Sequence, residues 1–143
     1  MGNGTALGKV RGLGPARGGA HHWLLERLSG LAALFVCVWL TVSFALLPNL
    51  SFAAVRGWAA APVQLVGLAL LVVTLFWHTR LGLRVLIEDY VHESANKLAC
   101  LVLLSAFTWG GAAVGLWFVA QIAIAGSAAE VAQAVVKAAT GGR

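Results

Sequence analysis

The chain has 143 residues, of which 60% are hydrophobic and 10% charged, with a formal net charge of +5 and a mean hydropathy of +0.87. That length suits one domain, and so apolar a chain is excluded from the ordinary soluble classes and placed in the lipid bilayer. The basic residues are spread along the chain rather than gathered around a soluble reader, so no nucleic-acid partner is expected.

Residues 1–20 are Gly-rich and carry Lys9, Arg11 and Arg17, the pattern of a flexible basic tail. They are not a secretory signal. The first apolar run begins near Leu28 and lasts about 20 residues, against roughly 7–15 for a signal h-region. His21, His22, Trp23, Glu26 and Arg27 stand directly before that run. Trp23 suits an interfacial belt. Arg27 can snorkel or bind an anionic group, and the residues alone favour snorkelling. Glu26 and Arg27 are adjacent, so on a helix they point about 100° apart and need not pair.

Three spans are predicted, at about 28–47, 63–83 and 98–126, within a transmembrane domain covering 21–126. The first is uncharged, with Trp39 and Thr41 as its main polar features, and is long enough to cross a hydrocarbon core of about 30 Å. Pro48 and Asn49 end it. A short loop to Pro62 follows, carrying Arg56 and an interfacial Trp58. The second span stays apolar until Phe76-Trp77-His78 and turns polar at Thr79 and Arg80. A charged connection with Asp89, Tyr90, His92, Glu93 and Lys97 leads to the third span. There Gly111 and Gly115 form a GxxxG, which marks a close-packing face without naming its partner. The Ala-rich tail, 127–143, admits a short surface helix or disorder.

Orientation follows from charge. Three spans put the N-terminus and the second connection on one side, with Lys9, Arg11, Arg17, Arg27, Arg80, Arg84 and Lys97. Only Arg56, Lys137 and Arg143 fall on the other. The positive-inside rule then sets the N-terminus inside and the C-terminus outside.

The chemistry concentrates between His78 and His92. On one helix His78, Gly82, Val85 and Asp89 share a face, and the histidine lies roughly 16 Å along the axis from the Asp89-Tyr90 pair. His78 is the ionisable group set well inside a span, a costly placement that points to function. A neutral imidazole is a good ligand for haem iron. One histidine holds one side of the iron, so the residues read as a half-site completed by another subunit. They read equally as a histidine hydrogen-bonded within a helix bundle. Taken alone, Tyr90 suits an interfacial anchor and Asp89 a solvated charge. Cys37 and Cys100 lack metal-ligand spacing and read as packing residues. No nucleotide loop, Ser/His/Asp arrangement or pair of intramembrane acids is present.

His78-x-x-x-Gly82 followed by Glu88-Asp89-Tyr90-Val91-His92, with His21-His22-Trp23 and Arg27 upstream, resembles the smaller hydrophobic membrane anchors of the succinate dehydrogenase, or respiratory complex II, family. The motifs occupy two short stretches, and the three-span layout extends the likeness over most of residues 21–126. The resemblance implies an all-α membrane protein packed with a second anchor subunit. It implies His78 as an axial ligand of haem b, the other ligand coming from that cytochrome b subunit. Tyr90 would hydrogen-bond a carbonyl of ubiquinone, the substrate, and Asp89 would orient or tune that site. Arg27 and His21 would face haem propionates or the quinone approach. Arg84 departs from the pattern, since relatives often carry an uncharged polar residue there; snorkelling or contact with the iron–sulfur subunit would explain it. The chain would not be an enzyme by itself. It would anchor the flavoprotein and iron–sulfur subunits in a bacterial inner membrane or the mitochondrial inner membrane. Two alternatives stay open: a b-type cytochrome subunit of fumarate reductase or another respiratory dehydrogenase, and a haem-free structural anchor.

Overall fold

The computed structural model describes residues 16–141, so Lys9 and Arg11 of the expected basic tail lie outside the described residues. Four helices follow in order: α1 (Ala16–Ala45), α2 (Phe52–Ala60), α3 (Pro62–Tyr90) and α4 (Ser94–Thr140). Within α1, Ala20–Ala45 is long and apolar enough to cross a membrane, as are α3 and α4. The chain is a multi-pass membrane protein with three such helices among the described residues.

Two boundaries differ from the sequence expectation. Helix α1 already begins at Ala16, so the last residues of the expected tail are helical. Helix α4 runs 47 residues without a break, about 70 Å at 1.5 Å per residue. The stretch after Gly126 is therefore not a separate element. It contains no proline and is dominated by alanine, the strongest helix former, so nothing in it stops the helix. Ser127 Oγ donates to the Ile124 carbonyl at 2.9 Å and does not compete with the backbone ladder.

The connection expected as plain loop holds α2. Asn49 Oδ1 accepts from the Ser51 backbone N–H at 3.1 Å and from Ser51 Oγ at 2.6 Å. Ser51 in turn caps the helix, its Oγ accepting from the Ala54 N–H at 3.4 Å. Ala61, extended, separates α2 from α3, and Pro62 opens α3 in the first turn, where its missing N–H costs nothing. Trp58 does not stand free. Its ring lies 4.9 Å from Phe44 and 6.0 Å from Trp39, which ties α2 to α1.

Helix α3 is the middle of the molecule. Among the described residues, α1 and α4 each pack against it and not against one another. The core is accordingly thin. Of the described residues only Ala33, Ala59, Leu81, Leu104 and Thr108 are buried, and no large side chain is fully enclosed. Apolar surface such as Phe35 (72% exposed) and Phe52 (81% exposed) would be untenable in water. Lipid tails or neighbouring helices solvate it instead.

Two faces of α3 carry the packing. Val72 and Phe76 meet α4, where a Cβ on Gly111 would overlap the Phe76 ring and one on Gly115 would come within 2.8 Å of Val72. The GxxxG face thus has its partner inside this chain. Gly67 and His78, eleven residues apart and so about 20° apart around the helix, meet α1. The Trp39 ring fills the space a Cβ on Gly67 would need.

Candidate functional site

The polar end of the α1–α3 seam forms a groove of about 390 Å³ lined by Trp23, Glu26, Arg27, Gly30, Leu31 and His78. Helix periodicity assembles it. Trp23, Glu26, Arg27, Gly30 and Leu31 recur at three- and four-residue spacing, so they form one stripe of α1. His78 faces that stripe from α3 and is half-buried.

The imidazole has a defined seat. Ser29 Oγ lies 3.1 Å from His78 Nδ1, and the same hydroxyl donates to the Glu26 carbonyl at 2.9 Å. A Cβ on Gly30 would come within 3.1 Å of His78 Cε1, so the glycine is what lets the ring lie against α1. Arg27 does not pair with its neighbour Glu26 in the ion-pair geometry seen elsewhere in the chain. Its guanidinium stacks over Trp23, 5.0 Å from the ring centre, with its donors at the groove.

The structure therefore brings Arg27 and His78 together. It does not bring the other predicted site residues to them. His21 is exposed and is not part of the groove lining. Asp89 and Tyr90 sit in the last turn of α3, both exposed, Tyr90 by 76%. Gly82 has open space where a Cβ would be, so nothing described in this chain occupies that part of the face between His78 and Asp89.

The last turn of α3 is held electrostatically. Arg84 Nε donates to Glu88 Oε1 at 2.8 Å across one helical turn. Lys97 Nζ donates to the Glu88 carbonyl at 2.9 Å, which caps α3 and fixes the start of α4. Arg84 is thus engaged within its own helix. On the neighbouring face, Arg80 stacks over Trp109 of α4 at 5.6 Å.

What can this arrangement hold? Among the described residues no group of three or more His, Cys, Asp or Glu side chains could enclose a metal ion. Cys37 and Cys100 are free thiols. A closed, all-protein metal centre is therefore not built by the described residues. The donor set fits a metal that brings its own equatorial ligands: one ring nitrogen, a guanidinium nearby for an acidic substituent, and an open apolar face. A haem has those needs. Ser29 and Gly30 are the residues that the sequence pattern did not single out. Their signal was a Ser-Gly pair immediately after the Arg27 turn, in a span read as uncharged with Trp39 and Thr41 as its main polar features.

The profile of the family described as "Succinate dehydrogenase/Fumarate reductase transmembrane subunit" matches residues 1–112. The "Succinate dehydrogenase hydrophobic membrane anchor subunit" of Rickettsia conorii is 34% identical over 108 residues, covering 69% of this chain and 86% of that protein. The protein of the same description from Rickettsia bellii is 34% identical over 98 residues, covering 68% of this chain and 76% of its own length. No solved structure gives a significant match.

Proposed function

The chain belongs to the family of succinate dehydrogenase/fumarate reductase transmembrane subunits, and on that premise we propose that it is the smaller membrane anchor of a succinate:ubiquinone oxidoreductase. It holds the flavoprotein and iron–sulfur subunits at a bacterial cell membrane, in keeping with the bacterial relatives. A second anchor, the cytochrome b subunit, packs against its open apolar surface and completes the half-site at His78. The N-terminus and the α3–α4 connection face the cytoplasm, in keeping with the seven basic residues on that side, and the C-terminus lies across the membrane.

The observation that carries this reading is the seated His78 beside Arg27 in one groove. His78 would hold the iron of haem b through a ring nitrogen, and the cytochrome b subunit would supply a second ligand. Arg27 offers paired N–H donors to a propionate, a geometry suited to carboxylates. The open space at Gly82 would leave room on α3 for a flat group beside His78. Bound there, the haem supplies a one-electron store beside the quinone site.

Asp89 and Tyr90 contribute to quinone reduction. Ubiquinone takes up two electrons, delivered from succinate through the iron–sulfur subunit, and two protons, giving ubiquinol. The Tyr90 phenol donates a hydrogen bond to a quinone carbonyl and so favours the charge that builds on that oxygen. Asp89, on the His78 face one residue earlier, orients the site. Both side chains are exposed here, as groups completing a pocket with another subunit must be before it assembles.

The test is a reduced-minus-oxidised spectrum of the purified assembly, wild type against His78→Ala. A b-type band that disappears or shifts in the variant is expected. A normal band in the variant would place the ligand elsewhere, and no band in the wild type would leave only the haem-free anchor.

A further inference from the structure

The hydrogen bonds around Ser29 say more about the imidazole than that it is held. A serine hydroxyl has one proton and two lone pairs. The Glu26 carbonyl, 2.9 Å away, can only accept, so the Ser29 proton goes there. Towards His78 Nδ1, at 3.1 Å, Ser29 Oγ is left as acceptor. That arrangement suits the tautomer of the neutral ring with the hydrogen on Nδ1 and the lone pair on Nε2. Gly30, next in the chain, sets the ring's position through its missing Cβ, whose place lies 3.1 Å from Cε1.

We propose that Ser29 and Gly30 form a positioning seat on α1 that fixes the Nδ1–H tautomer and the ring plane of His78, and thereby tunes the redox potential of the haem it binds. This rests on His78 being a haem ligand, as argued above. The neighbouring chemistry is general. A ligating histidine donates its second N–H to an acceptor, which fixes the tautomer and makes the metal-bound nitrogen more basic. The acceptor here is polarised, because its own proton is engaged by a helical carbonyl. A more basic imidazole stabilises ferric over ferrous iron, so the seat lowers the midpoint potential. Helix α1, which supplies no ligand itself, thus controls a ligand on α3.

The seat can be tested in the assembled complex with Ser29→Ala, Ser29→Thr and Gly30→Ala. The readouts are haem per flavin, the haem midpoint potential by redox titration, and the EPR g-values of the ferric haem. Ser29→Ala is expected to shift the midpoint upward and to change the g-anisotropy, with haem retention weakened by about tenfold, the lower end for losing such a partner. Ser29→Thr keeps the hydroxyl and should restore all three. Gly30→Ala leaves the hydroxyl but presses on the ring, so it should change the g-values as well. If Ser29→Ala prevents assembly, the decision passes to the other two: a wild-type potential in Ser29→Thr with altered g-values in Gly30→Ala supports the seat. Wild-type potential and g-values in Ser29→Ala overturn it, as do wild-type g-values in Gly30→Ala. Tighter haem retention in Ser29→Ala also overturns it, since that is the outcome if the hydroxyl donates to Nδ1 and holds the proton on Nε2. Failure of the haem reading itself looks different: the His78→Ala assembly then keeps a normal haem, or the wild type holds none.

Discussion

Helix α3 is packed on two sides, and the two seams are built for opposite ends. Against α4, glycines at 111 and 115 receive Phe76 and Val72, and the contact at these positions is made by apolar atoms. Phe76 and Phe107 add a ring pair at 6.0 Å, and Trp77 meets Trp109 edge-on at 6.2 Å. Against α1 the half nearer Pro62 packs the same way, with Trp39 over Gly67. The half around His78 differs. There a glycine admits an imidazole instead of a phenyl ring, a serine meets it with a hydrogen bond, and a groove stays open beside it. One seam uses its glycines for cohesion, and the other, at Gly30, uses one to place a polar group. The lesson is that a small residue in a membrane helix is interpretable only through what fills its notch.

The sharpest test of the apolar seam is Gly111→Leu. The added side chain has to occupy space already taken by the Phe76 ring. Overpacking of this kind costs about 1–3 kcal/mol, so the thermal unfolding midpoint of the complex in detergent should fall clearly. The haem spectrum of the molecules that do assemble should stay normal, because His78 meets α1 and not α4. An unchanged midpoint would show that Phe76 can leave the notch at little cost, and the two seams would then differ less than their geometry says.

The fold was legible in the sequence to a good approximation, and the reason is composition. Three apolar stretches with polar breaks at Pro48–Pro62 and around Asp89–Lys97 leave few ways to place helices. Helix ends were less legible. An alanine-rich segment such as 127–140 has no stop signal, yet its amphipathic pattern is weak, so the continuous α4 emerges only from the structure. α2 was hidden because a nine-residue helix is too short to show periodicity. Within the site, His78 stood out because an ionisable group in a span is expensive. Ser29 did not, because a lone hydroxyl can satisfy itself on the preceding turn. Only the second contact, across to α3, reveals it.

Past the open seam, Tyr90 tests whether the functional face continues to the membrane surface. Tyr90→Phe keeps the ring and removes one hydroxyl. A single hydrogen bond to a substrate carbonyl is worth about 0.5–1.5 kcal/mol. Quinone reduction measured as kcat/KM should therefore fall by about two- to thirteenfold, with succinate oxidation by an artificial acceptor, the haem spectrum and the unfolding midpoint unchanged. Quinone reduction at the wild-type rate would reduce Tyr90 to an interfacial anchor and confine the functional face to the groove.

The smallest effect belongs to the pair that spans neither seam. Arg84 and Glu88 are one turn apart on α3, and their side chains remain 51% and 40% exposed. Their bond stiffens a helix end without joining two helices. Exposed pairs at this spacing contribute about 0.3–0.5 kcal/mol, less as salt screens them. Glu88→Gln should therefore leave haem content and quinone kinetics at wild-type values and move the unfolding midpoint barely at all. The Lys97 contact survives that change, because it uses the Glu88 backbone carbonyl and not the carboxylate. A large loss of stability in the assembled complex, absent at high salt, would show the Glu88 charge engaged beyond its own helix. The last turn of α3 would then be an intersubunit contact in its own right, and the open face of this chain would extend from His78 to the protein's surface without interruption.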